Sequence, residues 1–324
     1  MIMIPKIEGH QKQKNYIKKI IASSSRPHAL LFTGVNGIGK SAVAVESIAA
    51  FLCADENSPC GECRSCRQVF SFSHPDFLIL EPDEKGSIPI GDKDKKEEGS
   101  VRALLNSLSE KPFGGKRAVL IKEIDCAKTA GMNALLKTIE EPSENTLIIM
   151  TTSSESRILR TILSRSSVIR FQPLPFESVI KLLEDMPEAE KEFIAAASGG
   201  SMENAIKFSS EKAREELKNF ASGIRKAYLS NSFIEPASLS AMSGKDGYGL
   251  IDGTINIYSF LLKNKLTGKV TFSSFLNDLY IDADKTLHNI IKMLLSAKKG
   301  SARNLNPAFS VKAISYNCIA EKLI

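Results

Sequence analysis

Two groups of residues in this sequence have the types and the spacing that chemistry requires. The first is GVNGIGKS at residues 34–41, which fits the P-loop pattern G-x-x-x-x-G-K-[ST]. In that pattern the glycines let backbone N–H groups close around phosphate oxygens, and the positive end of the following helix adds attraction. Lys40 would reach the β- and γ-phosphates, and Ser41 would ligate Mg²⁺. The alternative is a glycine-rich turn that holds no nucleotide. The predicted nucleotide contacts are Gly34, Asn36, Gly37, Gly39, Lys40 and Ser41.

The second group is a cluster of four cysteines, Cys53, Cys60, Cys63 and Cys66, with the spacing C-x6-C-x2-C-x2-C. In a reducing compartment, clustered cysteines favour a metal site over disulfides. Four thiolates complete the tetrahedral coordination of Zn²⁺ and leave no open position for water, so we predict a structural zinc site. The alternative is four unrelated thiols. His74 is either a further ligand or a residue that shapes the chain before the next strand.

A third, weaker signal is the segment LIKEID, which we predict to end a strand running from Arg117 to Asp125. A P-loop ATPase carries an Asp for Mg²⁺ and an adjacent Glu for the attacking water at such a strand end. Here the order is Lys122-Glu123-Ile124-Asp125, so the acidic residues are separated and a lysine precedes them. The isolated Cys126 and Cys318 are interpreted as ordinary buried thiols.

The elements that must position these groups alternate between strands and helices over the first half of the chain. Strands are predicted at HALLFTG, HPDFLILEPD, RAVLIKEID, NTLIIMTTS and SSVIRFQPLP, with helical segments between them. This alternation predicts a parallel α/β sheet. From about residue 176 the pattern is helical. We therefore predict an α/β domain over 1–172, a small helical segment over 173–210 and a helical domain over 211–324.

Composition excludes several classes of protein. The chain has 324 residues, of which 43% are hydrophobic and 25% charged, as in a folded globular protein. No run approaches the roughly 18 apolar residues of a membrane span, and no apolar region follows the first charges as in a secretory signal. A cytoplasmic protein without a membrane partner is therefore expected. The net charge of +6 arises entirely within residues 211–324, which is compatible with nucleic acid, an acidic protein or a solvated lysine-rich surface.

Together these motifs resemble the delta-prime family of subunits of the bacterial DNA polymerase III clamp loader, which are AAA+ proteins. The resemblance rests on the P-loop, the cysteine spacing and three further segments. It is strong over residues 5–175 and weaker over 176–210. It implies an α/β AAA+ P-loop ATPase domain with a parallel sheet, then a small helical lid and an all-α C-terminal collar that joins a pentamer. The three segments are SHPDFLILEPD, NALLKTIEEPSENTLIIMTTS and ILRTILSRSSVIRF.

The resemblance also implies roles for particular residues. The acidic pair of the family falls on Lys122 and Glu123, so Glu123 keeps the base position while Lys122 replaces the acid that binds the metal. Thr151 or Thr152 fits the sensor of the γ-phosphate. Arg165, in Ser-Arg-Ser at 164–166, matches an arginine finger that is supplied to a neighbouring subunit.

The lid segment SGGSMENAI, residues 198–206, matches a second sensor but contains no arginine. These departures favour a subunit that binds ATP or ADP, with Mg²⁺ uncertain, and hydrolyses ATP poorly. The implied function is that of a scaffold and arginine-finger donor. It would help the gamma/tau and delta subunits to load the sliding clamp, beta, onto primed DNA.

Two other functions stay open at this point. One is a gamma/tau-like motor subunit with its own ATPase activity. The other is a DNA-binding zinc module with a vestigial P-loop, although the four cysteines have only Arg64 and Arg67 as basic neighbours.

Overall fold

The computed structural model divides the chain into two compact units, residues 1–173 and 174–324. It describes residues 9–23, 26–92, 97–183, 186–230, 247–268, 272 and 274–299. Cys318 lies outside the described residues, as does part of the charged loop predicted over 84–100.

The first unit is built on a five-stranded parallel sheet in the order β2-β3-β4-β1-β5. This confirms the predicted parallel α/β sheet. The strands are β1 (Ala29–Thr33), β2 (Phe77–Leu80), β3 (Arg117–Ile121), β4 (Thr146–Thr152) and β5 (Ser167–Arg170). The helices are α1 (Gln11–Ala22), α2 (Lys40–Leu52), α3 (Arg64–Phe70), α4 (Val101–Ser109), α5 (Thr129–Glu140) and α6 (Arg160–Leu163).

The inner strands are buried along their whole length because helices cover both faces of the sheet. Every residue of β1, β3 and β4 is buried, as expected for a parallel sheet. Successive side chains of a strand point to opposite faces. In β1, accordingly, Leu30 and Phe32 belong to one apolar cluster and Ala29 and Leu31 to the other. The P-loop thus follows a strand that is held from both sides.

The third strand is shorter than predicted. It ends at Ile121, not Asp125, and a 3₁₀ turn over Ile124–Cys126 follows. Pairing with β4 stops there because Glu123 adopts a left-handed conformation (φ 48°) and its N–H donates to Thr151 Oγ1 instead, at 3.0 Å. Cys126 is only partly buried, contrary to the expectation.

The described part of the second unit is helical, and its helices share one apolar core. Phe193 and Phe208 lie before residue 210, and Leu217, Tyr258 and Leu287 lie after it, yet all five belong to the same buried cluster. None of the described helices is long and apolar enough to cross a bilayer. The helices are α7 (Phe176–Leu182), α8 (Glu188–Ser198), α9 (Met202–Ser209), α10 (Glu211–Ser230), α11 (Gly247–Leu266), α12 (Ser274–Leu279) and α13 (Asp284–Lys298).

Candidate nucleotide and metal sites

The loop between β1 and α2 has a backbone that requires glycine. At Gly34 (φ 151°) an added Cβ would lie 2.6 Å from the carbonyl oxygen of Phe171 and 2.8 Å from Ile38 Cδ1. Gly37 and Gly39 also have positive φ values, 74° and 96°. Such conformations cost little only without a side chain. The predicted glycine positions are therefore the ones that the turn itself demands.

Lys40 places its charge inside this loop. It is the first residue of α2, it is 6% exposed, and its Nζ donates to the carbonyl oxygens of Gly34 and Val35, each at 2.7 Å. The positive end of α2 lies at the same place. An ammonium group and a helix N-terminus at a glycine loop form a setting suited to phosphate. Ser41 follows within the first turn of the helix.

The end of β4 lies directly beside the start of the P-loop. Thr152 is in register with Thr33, and its carbonyl oxygen accepts from the N–H of Gly34 at 3.3 Å. Both candidate sensor threonines are buried. The hydroxyl of Thr152 donates to Asp125 Oδ1 at 2.7 Å, while that of Thr151 accepts from the Glu123 N–H. Of the two, Thr152 is the one whose backbone contacts the P-loop.

Lys122 points away from the P-loop side of the sheet. Its Nζ lies 2.7 Å from Glu81 Oε2 and 5.7 Å from the centre of the Phe72 ring. Glu81 follows β2, the edge strand on the side of β3 opposite β4. At this strand end the chain therefore has neither a carboxylate at position 122 nor an ammonium directed toward β4.

One polar cluster at the carboxyl edge of the sheet has no signal in the sequence. Glu155 Oε1 accepts from Thr33 Oγ1 at 2.8 Å and from Arg170 Nε at 3.0 Å, and its Oε2 accepts from Arg170 Nη2 at 3.0 Å. The Thr33 hydroxyl and the Arg170 guanidinium lower the pKa of Glu155. The cluster joins the ends of β1 and β5 to the turn after β4. It arises because strands distant in sequence are neighbours in the sheet.

The four predicted cysteine ligands converge on one point. Their sulfur atoms all lie within 4.8 Å of one another, with 3.7 Å between Cys53 and Cys60 and 3.9 Å from Cys53 to Cys63 and from Cys60 to Cys66. A tetrahedron with Zn–S bonds of about 2.3 Å has edges of about 3.8 Å. These separations far exceed the S–S bond of about 2.05 Å, and all four thiols are free. The donor set therefore fits a tetrahedral tetrathiolate site.

Local structure positions these cysteines. Cys53 follows the last residue of α2, Cys63 is the N-cap of α3, and Cys66 lies in the first turn of α3. Backbone N–H groups of Asp55, Cys63 and Cys66 donate to sulfur atoms at 3.3–3.4 Å. The pKa of the Cys60 thiol is lowered to about 7, mainly because its sulfur accepts a hydrogen bond from the backbone N–H of Cys63. Burial raises the pKa of the Cys66 thiol.

His74 does not join the cysteine cluster among the described residues. Its Nδ1 accepts from the N–H of Asp76 at 3.1 Å, and the buried Asp76 carboxylate accepts from the N–H groups of Phe113 and Gly114. The histidine thus shapes the chain that enters β2.

Arg165 lies just after α6 and is partly exposed. Its Nε is 2.6 Å from Glu140 Oε1, and its Nη1 donates to Thr161 O and Ser164 Oγ, each at 3.2 Å. Elsewhere in the chain, the predicted second-sensor segment 198–206 forms the end of α8 and the start of α9, capped by Ser201.

A P-loop after β1, an inner strand of this parallel sheet, with buried threonines ending the adjacent strand β4, defines an α/β P-loop domain followed by a helical part. The family described as "DNA polymerase III, delta subunit" matches residues 9–175, more than half of the chain. The chain belongs to this family, which confirms the resemblance noted from the motifs.

Individual relatives agree with this assignment. The DNA polymerase III subunit delta' of Pseudomonas aeruginosa is 34% identical over 207 residues, which is 61% of each chain. The tau subunit of Bacillus subtilis is 25% identical over 210 residues, covering 62% of this chain and 36% of tau. The match thus spans less than two thirds of either relative. A DNA polymerase III gamma subunit-related protein from Thermotoga maritima has a similar fold, with a TM-score of 0.50 at 18% identity over 96% of this chain and 99% of that one.

Proposed function

We propose that this chain is a delta-prime-type subunit of a bacterial DNA polymerase III clamp loader, acting as a scaffold and as the donor of an arginine finger. Family membership and the relatives named subunit delta' support this role. The observation that carries it is the ion pair between Lys122 and Glu81, at the strand end where a P-loop ATPase carries its metal-binding acid, in a domain that keeps its glycine loop and Lys40. A site that keeps its phosphate loop but lacks the metal-binding acid is suited to holding a nucleotide and poorly suited to hydrolysing it.

In this proposal Lys40, Ser41 and the glycine loop hold ATP or ADP. The bound triphosphate would supply anionic oxygens for the Lys40 ammonium and for the N-terminus of α2. Because position 122 offers no carboxylate ligand, the site should bind Mg²⁺ weakly. Glu123 keeps the base position only as a vestige.

The four clustered cysteines are proposed to hold one structural Zn²⁺. Their sulfur separations support this, because they match the edges of a tetrathiolate tetrahedron. A closed site of this kind has no position for substrate water. Its role is to join the end of α2 to the start of α3.

Arg165 is proposed to reach the nucleotide of a neighbouring subunit. The side chain is 41% exposed at the edge of the first unit. A guanidinium stays charged at all relevant pH values and can bracket phosphate oxygens, which suits it to this role.

The neighbours would be subunits of the gamma/tau and delta types. Residues 173–210 would form the lid and 211–324 the collar that joins them. The complex would act in the cytoplasm on the beta clamp and primed DNA.

The test is Arg165→Ala in a complex reconstituted with gamma/tau and delta, compared with Arg160→Ala, which changes an exposed arginine of the preceding helix α6. We expect assembly to be retained while ATPase activity stimulated by DNA and clamp falls, together with clamp loading. Fingers supplied in trans are worth roughly 10³–10⁵ in rate in GTPases. The loss here should be smaller because other motor sites keep their own fingers. Unchanged rates in an intact complex would rule out the finger.

A further inference from the structure

We propose that Glu140 is a positioning residue for Arg165: it holds the guanidinium so that the Nη2 group faces outward. This inference rests on the proposed role of Arg165 as a finger. It concerns a residue of the segment KTIEEP, whose acidic character none of the predicted roles uses.

The contacts of the guanidinium divide it into an inner and an outer side. Nε lies 2.6 Å from Glu140 Oε1, and Nη1 donates to the carbonyl oxygen of Thr161 and to the Ser164 hydroxyl. A guanidinium carries five N–H donors in a rigid plane. Among the described residues Nη2 has no protein partner. Fixing Nε and Nη1 therefore leaves the two Nη2 hydrogens for an oxygen atom that comes from outside the chain.

Buried neighbours anchor the backbones of both Glu140 and Arg165. Glu140 follows the buried Ile139, and Arg165 lies three residues after the buried Ile162. The two isoleucines belong to the same apolar cluster under the sheet. Because buried anchors fix both backbones, the carboxylate can restrict the rotamers of the arginine. A long side chain that is already ordered loses less entropy when it binds.

Stability alone does not account for a carboxylate at this position. Glu140 is the last residue of α5 and Glu141 caps it, so two negative charges lie at the negative end of the helix dipole. The Glu140 and Arg165 side chains are 42% and 41% exposed, and ion pairs as exposed as this contribute little to folding. The contact instead orients the one arginine that the proposed function requires at a subunit edge.

Glu141 provides a matched control, since it has the same charge at the same helix end but does not contact Arg165. The experiment uses the reconstituted complex and compares Glu140→Ala, Glu140→Gln, Glu141→Ala, Arg165→Ala and the double variant Glu140→Ala with Arg165→Ala. The part of the stimulated kcat that depends on Arg165 is the wild-type value less that of Arg165→Ala. Glu140→Ala should reduce this part roughly 3- to 10-fold, with the KM for ATP unchanged.

Glu140→Gln keeps an acceptor oxygen and should retain an intermediate rate, while Glu141→Ala should match the wild type. In the Arg165→Ala background, Glu140→Ala should have no further effect. A wild-type kcat for Glu140→Ala, where Arg165→Ala is impaired, would overturn this inference and leave the finger in place. An equal loss with and without Arg165 would overturn it as well. If Arg165→Ala itself is unimpaired, the proposed function fails first.

Discussion

At the carboxyl edge of the sheet, charged side chains take partners that are far away in the sequence. Lys122 pairs with Glu81 across β3 and β2, and Glu155 binds Thr33 and Arg170 at the ends of β1 and β5. Each contact fixes one side chain at this edge of the sheet. The first holds the Lys122 ammonium on the β2 side of β3, and the second ties the turn after β4 to Thr33, the residue that precedes Gly34.

The Glu155 contacts predict a pH-dependent contribution to stability. Hydrogen bonds from Thr33 and Arg170 hold the pKa of Glu155 below its usual 4.5 in the folded state. Its stabilising contribution is therefore complete above pH 4.5 and is lost as the pH falls through the lower folded value. At pH 7, Glu155→Gln should reduce the free energy of unfolding by about 0.5–1 kcal/mol, because the pair is partly solvated.

Urea unfolding at pH 7 and at several pH values below 4.5 measures this effect. The difference in the free energy of unfolding between Glu155→Gln and the wild type should become smaller as the pH falls. The exposed Glu98 supplies the control Glu98→Gln, which should change stability little at any pH. A gap that stays constant with pH would show that the charge of Glu155 is not the cause.

At the scale of elements, four sulfur atoms converge in the segment between α2 and α3. Only Cys53 and Cys66 are buried, and few apolar side chains hold the turn between them. A bound metal would link both helix ends through the side chains that already converge there. Binding energy of this kind contributes directly to folding of the segment.

We therefore predict about one equivalent of zinc in the purified chain. Cys60→Ser should lose most of it, whereas Cys126→Ser, which changes a cysteine outside the cluster, should keep it. Metal analysis together with hydrogen exchange over 53–66 gives the readout, and exchange should accelerate when a chelator removes the metal. A metal-free protein in which all four thiols react freely would contradict the assignment.

Two glycines of α11 give a second prediction at this scale. A Cβ on Gly253 would lie 2.9 Å from Phe208 Cζ and 3.1 Å from the Leu217 methyl groups, inside the core. A Cβ on Gly249 would meet only the mobile end of Lys207, at 2.8 Å from Nζ. Replacing either glycine by alanine should stabilise the helix by about 1 kcal/mol through helix propensity. Only Gly253→Ala also overpacks the core, which should destabilise the fold by about 1–3 kcal/mol.

Gly249→Ala should thus be more stable than Gly253→Ala by about 1–3 kcal/mol. Urea unfolding of the full chain, followed by helical circular dichroism, compares the two variants directly. Equal stabilities would mean that α11 does not pack closely against α9 and α10.

For the whole molecule, the arrangement predicts nucleotide binding without turnover. The isolated chain should bind ATP or ADP, and Lys40→Ala should weaken binding roughly 10- to 100-fold through the loss of a charge-assisted contact. Titration with a fluorescent nucleotide measures this, with the exposed Lys12→Ala as the control. Phosphate release should stay at background in every variant. Brisk hydrolysis that disappears in Lys40→Ala would identify a motor subunit instead.

The sequence alone determined the contiguous features. The P-loop, the cysteine spacing, the order of strands and helices and the family could be predicted because each depends on local periodicity or on residues a few positions apart. Gly34 through Ser41 follow one another in a single turn, and four cysteines within a short segment cannot move far from each other.

Only the tertiary structure decided the partners. The end of β3 at Ile121, the turning of Lys122 toward Glu81 and the pairing of Glu140 with Arg165 each depend on which strand or helix lies alongside. The sheet order β2-β3-β4-β1-β5 makes neighbours of elements that are far apart in the chain. This order brings several charged groups within a few ångströms of a side chain near a strand end. Which of these groups the side chain contacts cannot be predicted from the residue pattern of one strand.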